Sequence, residues 1–264
     1  MARKFGIELE VSGGNLNMSQ VAALITAAGV RCNVEGYNHA RRNDWKIVPD
    51  SSLMNSGGRN MMEIVSPPLK GSKGVAEVEL VAATLVANGI TVNGACGMHV
   101  HVDAADLTAQ HLKNVCKLVA IHEEHLKAVL PQSRHNTRWA RWPSQMGIGD
   151  TIAARCARID ACTSVVDLLN LWGRDRYRAI NLEALSRHTT VEFRSHSGTV
   201  DPRKIAAWVM LCVGIVRNAN QDADIAQKLP CGTVRQFTNL VRFAGKKNVG
   251  YFFERRSYFK SRAA

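Results

Sequence analysis

The sequence predicts an α+β protein, because strands with alternating hydrophobic residues occur between segments with the hydrophobic spacing of amphipathic helices. The segment Lys4 to Val11 (KFGIELEV) alternates residue by residue, whereas Gly74 to Asn88 has helical spacing and ends at Gly89. A chain of 264 residues can bury a sizeable core. Without an internal repeat or a low-complexity linker, we expect one domain over residues 1–264, with a helical, basic extension at about residues 225–264.

The composition restricts the class of partner. Lys and Arg number 34 against 22 Asp and Glu, and this charge of +12 favours nucleotides, polycarboxylates or nucleic acid. The sequence contains no run of the roughly 18 apolar residues that a membrane span needs, and it leads directly into the first strand. We interpret the seven singly placed cysteines as reduced core thiols. These features predict a cytoplasmic protein without a membrane partner, and they do not indicate an oligomeric state.

The first part of the chain predicts strands and helices in turn. Ser19 is the expected N-cap of a helix at 17–29, and a long helix is expected at about 108–130. The strands expected between these helices are 30–34, 45–48, 61–66 and 94–103, the last with a Gly-rich entry. Within the long helix, His122-Glu123-Glu124-His125 lacks the four-residue histidine spacing of zinc proteases, so we interpret it as a solvated helix face.

The second part begins with a basic, Trp-containing loop at 131–149, of a length that is usually functional or mobile. Helices are expected at about 148–158, 164–172 and 202–218, the last capped by Asp201. Strand structure is expected at the centre of 174–185 and over 189–196, and residues 234–264 contain no recognisable motif.

Four of the predicted strands carry charged or imidazole side chains on one face, since residues two apart in a strand share a face. These residues are Glu8 and Glu10, Glu63, His99 and His101, and Glu192 and Arg194. Each strand alone has an alternative interpretation, a polar face that simply meets water. Together they predict a sheet with helices on one face and an active site on the other.

The residue types favour a particular chemistry. Carboxylates with an imidazole suit Mg²⁺ or Mn²⁺ better than Zn²⁺, which prefers thiolate and imidazole ligands. Carboxylates gathered around two or more such cations, with an arginine nearby, suit phosphoryl transfer. The residues therefore predict a metal-dependent phosphoryl-transfer site.

Several motifs resemble those of carboxylate–amine ligases. The segment 97–101 (GMHVH) resembles a strand of glutamine synthetases. The segment 6–10 (GIELE) is similar to the opening strand of glutamine synthetases and glutamate–cysteine ligases, and 190–194 (TVEFR) is similar to their late Glu-x-Arg strand. The most extensive resemblance, over most of residues 4–216, is to the amidoligase family. Its members carry an FGIELEV-type start followed by segments like those at 63–69, 96–103 and 181–199.

The resemblance implies a glutamine-synthetase-like catalytic fold, a curved antiparallel sheet with helices packed on its outer face. It also implies an ATP-dependent ligase, in which ATP phosphorylates a carboxylate and an amine attacks the acyl phosphate. The divalent cations, Mg²⁺ or Mn²⁺, would be held by Glu8, Glu10, Glu63, His99 and Glu192. His101 would contact the ATP phosphates and Arg194 the substrate carboxylate or the transferred phosphoryl group, so His101, Glu192 and Arg194 are the expected catalytic residues.

The substrates stay open at this stage. Members of the family are common in phage and bacterial gene clusters, so small molecules, peptides and nucleobases are all conceivable carriers of the carboxylate and the amine. The basic segment 134–141, together with Arg176 and Arg178, is the expected binding surface for the nucleotide and for substrate anions.

Two other functions fit parts of the sequence. A metal-dependent phosphoesterase or nuclease would use the same cations and would explain the charge of +12. A basic nucleic-acid-binding module would be no enzyme, and its activity would not depend on Glu8 or Glu192.

Overall fold

The computed structural model describes residues 3–53, 57–221 and 234–263. The chain divides into two compact units, one made of Met1–His101 and His196–Val209, the other of Val102–Ser195 and Met210–Ala264. Both combine strands and helices, and their paired strands are mostly antiparallel, so the predicted α+β class is confirmed. The assignment of residues 1–264 to a single catalytic domain stays a prediction.

The first unit is built on a sheet. Its elements are β1 (Lys4–Ser12), α1 (Met18–Ala27), β2 (Cys32–Val34), β3 (Trp45–Val48), β4 (Met61–Val65), β5 (Leu69–Lys70), α2 (Gly71–Ala87) and most of β6 (Gly97–Asp103). The strands follow the order β2-β3-β4-β1-β6, and β5 pairs with β1. Only β2 and β3 pair in parallel among the registers described for this unit. Strand β1 therefore lies inside the sheet and is not a solvated edge strand.

Alternation along β1 separates a hydrophobic face from a polar one. Phe5, Ile7, Leu9 and Val11 are all buried. Helix α1 packs on β2, β3 and α2, and contributes Val21 and Ile25 to the core of this unit. The intervening residues of β1, Glu8 and Glu10, point to the other face of the sheet.

The N-cap of helix α1 lies two residues earlier than the sequence suggests. The Asn17 side chain accepts a hydrogen bond from the Gln20 backbone N–H at 2.9 Å, and the Gln20 side chain accepts one from the Asn17 N–H at 2.9 Å. This reciprocal capping box makes Asn17 the N-cap, so the prediction of Ser19 is wrong.

The second unit contains more helix than strand. Its elements are α3 (Ala109–Ile121), α4 (Glu123–Lys127), α5 (Ile152–Asp160), α6 (Val165–Trp172), β7 (Ile180–Asn181), α7 (Ala184–His188), most of β8 (Thr190–Ser197), the second half of α8 (Pro202–Ala219), α9 (Val234–Arg242) and α10 (Val249–Ala263). Helix α3 packs against α4, α5 and α6. Strands β7 and β8 pair in antiparallel fashion, with Asn181 opposite Glu192.

The long helix predicted at 108–130 is interrupted. The structure ends α3 at Ile121 and begins α4 at Glu123, because His122 leaves helical geometry with φ −100° and ψ 13°. The prediction of one continuous helix is therefore wrong. Part of the predicted extension at 225–264 falls on residues 222–233, which lie outside the described chain, and the described remainder contains α9 and α10.

The structure bears on two further predictions, that the cysteines are core thiols and that no segment spans a membrane. Cys32, Cys96, Cys116, Cys162 and Cys212 are buried free thiols, and burial raises the pKa of Cys32 to about 12. Across the described ranges, every helix is too short or too polar to span a bilayer.

Candidate active site

The first unit brings five of the predicted residues together on three neighbouring strands. Glu8 and Glu10 come from β1, Glu63 from β4, and His99 and His101 from β6. We call these five residues the acid–imidazole cluster. The register of β1 and β4 places Glu10 directly opposite Glu63.

Glu8 connects the two imidazoles of this cluster. Its carboxylate lies 3.0 Å from His99 Nδ1 and 3.3 Å from His101 Nε2. The other ring nitrogen of His99, Nε2, lies 3.8 Å from the Glu10 carboxylate. His99 thus stands between two carboxylates, and it is only 6% exposed.

Gly97 leaves room for this arrangement. Its backbone N–H donates to Glu10 Oε2 at 2.5 Å. A Cβ at this position would stand 3.1 Å from His99 Nε2 and 3.4 Å from Glu10 Oε2. Any larger residue would therefore crowd the His99 ring, which gives the Gly of the GMHVH motif a steric role.

The charge state of Glu8 follows from its neighbours. Burial would raise the pKa of Glu8, but the charges and hydrogen bonds of His101 and His99 outweigh burial and hold this pKa well below its usual range. Glu8 is therefore an ionised carboxylate at neutral pH, as a cation ligand must be.

The positions of the ligand atoms allow two cation sites in this unit. Oxygen or nitrogen atoms of Glu8, Glu63 and His99 lie within 4.8 Å of one another, and so do carboxylate oxygens of Glu10, Asp50 and Glu63. Glu63 belongs to both groups. Asp50 was not among the sequence candidates, although it comes two residues after Val48, which pairs with Glu63.

Lys46 is a second residue that the sequence reasoning missed. It lies on β3 and is 3% exposed, and its Nζ donates to Asn38 Oδ1 at 2.7 Å and to the Ala40 carbonyl oxygen at 2.9 Å. Burial lowers the pKa of Lys46, while the carboxylates of Glu35, Glu63 and Glu8 oppose that shift. The available signal was a lysine inside a short strand that is otherwise apolar.

The second unit holds the other pair of predicted residues, Glu192 and Arg194. Glu192 is 4% exposed, and its carboxylate accepts hydrogen bonds from Asn181 Nδ2 at 2.6 Å and from Arg194 Nη1 at 2.5 Å. The β7–β8 register brings Asn181 into position. Glu192 is therefore a buried carboxylate that is held by two donors.

The two arginines expected to bind anions, Arg176 and Arg178, differ from each other in their contacts. Arg178 lies 3.0 Å from Asp175 and donates to the Trp172 carbonyl oxygen at 2.9 Å, and it is 9% exposed. Arg176 stacks over the ring of Tyr177 at 5.3 Å. A role in nucleotide binding stays a prediction for both arginines, and Arg178 in addition stabilises its own loop.

The basic loop at 131–149 is anchored at several points. Trp142 is fully buried and donates from Nε1 to the Arg134 carbonyl oxygen at 2.8 Å, whereas Trp139 is 48% exposed. Arg134 is itself buried. The exposed positions of this loop include Arg138 and Trp139, and the Arg138 guanidinium lies over the Trp139 ring at 4.4 Å.

The interpretation of His122 to His125 as a solvated helix face is wrong for its first two residues, whereas Glu124 is exposed. His122 is 0% exposed and Glu123 is 2% exposed. The Glu123 carboxylate accepts hydrogen bonds from the Ser144 N–H at 2.9 Å, from the Ser144 hydroxyl, and from Lys127 Nζ at 2.5 Å. The loop that carries Ser144 therefore packs against Glu123 and contributes to its burial.

Comparison with protein-family models identifies a family whose model covers the candidate site residues. Residues 1–216 match the family model described as "Putative amidoligase enzyme", and this segment includes the acid–imidazole cluster as well as Glu192 and Arg194. A search of curated proteins finds no match. The matched segment covers most of the 264 residues, and the chain therefore belongs to the amidoligase family, a family of ligases that form amide bonds.

Proposed function

We propose that this protein is an ATP-dependent carboxylate–amine ligase that forms an amide or peptide-like bond through an acyl phosphate. The observation that carries the proposal is the acid–imidazole cluster, in which three carboxylates and two imidazoles meet on neighbouring strands. Family membership supports amide-bond formation, and the cluster supports the use of a nucleotide with divalent cations.

The donor set of the cluster fits Mg²⁺ or Mn²⁺, because oxygen ligands predominate and only imidazoles supplement them. Glu8, Glu63 and His99 would hold one cation, and Glu10, Asp50 and Glu63 a second. Such cations bridge phosphate oxygens and neutralise the charge that develops on them.

The remaining residues receive roles that their chemistry allows. His101 would contact the ATP phosphates, and Glu192 would serve as a further cation ligand. Arg194 would bind the substrate carboxylate or the transferred phosphoryl group, since a guanidinium can pair with either through two parallel hydrogen bonds. Asn181, which donates to Glu192, would orient that carboxylate.

We extend the proposal to the fold. A glutamine-synthetase-like catalytic fold places metal-binding acids along one face of a mostly antiparallel sheet. The polar face of β4, β1 and β6 in the first unit is compatible with that arrangement.

The experiment that tests this function is ATP turnover with Mg²⁺ against a panel of carboxylates and amines, with mass spectrometry of the products. We expect ADP, phosphate and a condensation product whose formation requires both substrates. Glu63→Gln should abolish turnover, while the control Glu79→Gln, on α2 of the same unit, should retain it. Phosphate release that needs no amine and gives no condensation product would favour a phosphoesterase instead.

A further inference from the structure

The positive charge of this protein is concentrated at one place in the sequence. Residues 234–263 contain eight Lys and Arg and one acidic residue, Glu254, which is a net charge of +7 out of the +12 of the whole chain. This segment lies outside residues 1–216, which match the family model. More than half of the net charge therefore lies in α9, α10 and the turn between them, and residues 1–216 carry the remaining +5.

Most apolar side chains of these two helices are used for packing, whereas Val234 at the start of α9 is 61% exposed. Phe237, Leu240 and Phe252 are at most 2% exposed, and the rings of Phe237 and Phe253 meet edge to face at 5.0 Å. Helices α9 and α10 pack against each other. The exposed side chains include six basic ones, on the helices and on the turn between them, and one tyrosine. We call these seven residues the C-terminal basic surface: Arg235, Arg242, Lys246, Lys247, Tyr258, Lys260 and Arg262.

Arginines and aromatic rings are stacked on this surface. The Arg262 guanidinium lies 4.5 Å from the centre of the Tyr258 ring, and Tyr258 is 42% exposed. Arg255 lies over Tyr258 at 5.2 Å and over Phe259 at 4.4 Å. An exposed ring with cations around it offers a flat face for a base and positive charge for phosphates.

We propose that the C-terminal basic surface binds single-stranded nucleic acid. Its lysines and arginines would contact the phosphates, and the Tyr258 ring would stack on an unpaired base. The proposal goes beyond the ligase function and does not depend on it.

The exposed residues of α10 favour nucleic acid over a lipid surface. They are Gly250, Glu254, Ser257, Tyr258, Lys260, Ser261 and Arg262. A helix that lies on a membrane exposes a continuous face of Leu, Phe or Trp, which enters the acyl region. Here the Phe side chains of the helix are buried or half-buried against the protein, and the exposed ring carries a hydroxyl group.

The test is fluorescence anisotropy of the full chain with a labelled single-stranded oligothymidylate. We expect the logarithm of the association constant to fall linearly with the logarithm of the salt concentration. The slope should be about −3, which corresponds to about four phosphate contacts on a single strand. Lys260→Glu with Arg262→Glu should weaken binding at least about tenfold. Tyr258→Ala should weaken it at least about fivefold, because stacking on a base is lost.

The matched control is a second double variant that makes the same change of charge outside the C-terminal basic surface. Lys73→Glu with Arg158→Glu alters two exposed basic residues outside the C-terminal basic surface, and it should leave the affinity nearly unchanged. Equal weakening by both pairs would show attraction by net charge alone and would overturn the proposal. Tighter binding to anionic lipid vesicles, tighter binding to a duplex of equal length, or an unaffected Tyr258→Ala variant would also overturn it. Circular dichroism of each variant verifies that it is folded.

Discussion

Glu8 and Glu63 carry the same charge on adjacent strands, but their neighbours differ. The Glu8 carboxylate contacts the rings of His99 and His101, whereas Glu63 lies opposite Glu10. Like charges directly opposite each other in antiparallel strands are destabilising. The two acids should therefore have different effects on the stability of the metal-free protein.

Replacing Glu63 by Gln should change the stability of the metal-free protein by less than about 0.5 kcal/mol, because the repulsion from Glu10 and the attraction to Lys46 are lost together. Glu8→Gln should destabilise it by about 1–3 kcal/mol, because the buried His99 and the half-buried His101 lose their ionised partner. Both variants should lose the increase in melting temperature that Mn²⁺ produces in the wild type. Thermal unfolding with and without Mn²⁺ measures both the metal-free stability and the increase in melting temperature that the metal produces. A large loss of metal-free stability in Glu63→Gln would show that Glu63 is structural.

Arg194→Lys should keep the fold and the charge but lose most of the turnover. A lysine ammonium can still pair with Glu192, but it cannot form two parallel hydrogen bonds with a carboxylate or phosphoryl group. We expect a loss of about a hundredfold or more in turnover, with little change in ATP affinity. If Arg194 only pairs structurally with Glu192, the lysine variant will retain turnover and Arg194→Ala will unfold at a lower temperature.

At the scale of elements, the break between α3 and α4 contains a buried histidine. Burial and the charge of His125 lower the pKa of His122 to about 4. His122 Nδ1 lies 3.3 Å from His125 Nδ1, and its Nε2 has no hydrogen-bond partner within the described chain. The folded protein therefore keeps His122 neutral at a pH where the unfolded chain protonates it.

This difference predicts a pH dependence of stability. Above a pH of about 6.5 the histidine is neutral in both states and costs nothing. As the pH falls from about 6.5 towards 4, protonation favours the unfolded chain, and below that range the loss is complete. Urea unfolding at pH 7 and pH 5 should show that the wild type loses about 2 kcal/mol more than His122→Phe, which cannot titrate. Equal losses in the two proteins would contradict the assignment.

Local patterns were sufficient to predict part of the site, and tertiary contacts explain what they missed. Alternation within one strand placed Glu8 with Glu10 and His99 with His101, since strand geometry fixes which side chains share a face. Asp50 could not be found in this way, because it approaches Glu63 only through the pairing of β3 with β4. Spacing within the helix likewise did not indicate that Glu123 is buried, because Glu123 is contacted by Ser144, which belongs to a loop and lies 21 residues later in the sequence.

At the scale of the whole molecule, the candidate catalytic residues and the C-terminal basic surface occupy different parts of the sequence. The former lie within residues 1–216 and the latter within 234–263. Lys260→Glu with Arg262→Glu should therefore leave ATP turnover with small-molecule substrates within about twofold of the wild type, because exposed surface substitutions perturb stability little. A steady-state assay measures this, and a large fall in turnover would link the surface to the catalytic reaction.

The central claim, amide formation through an acyl phosphate, predicts the fate of one oxygen atom. When the carboxylate identified by the turnover panel is labelled with oxygen-18, its oxygen attacks the γ-phosphorus of ATP and ADP leaves. The amine then attacks the acyl carbon and expels phosphate that retains this oxygen. Mass spectrometry should find one oxygen-18 atom in the inorganic phosphate for every amide formed from fully labelled carboxylate. Unlabelled phosphate accompanying the amide would contradict the acyl-phosphate route.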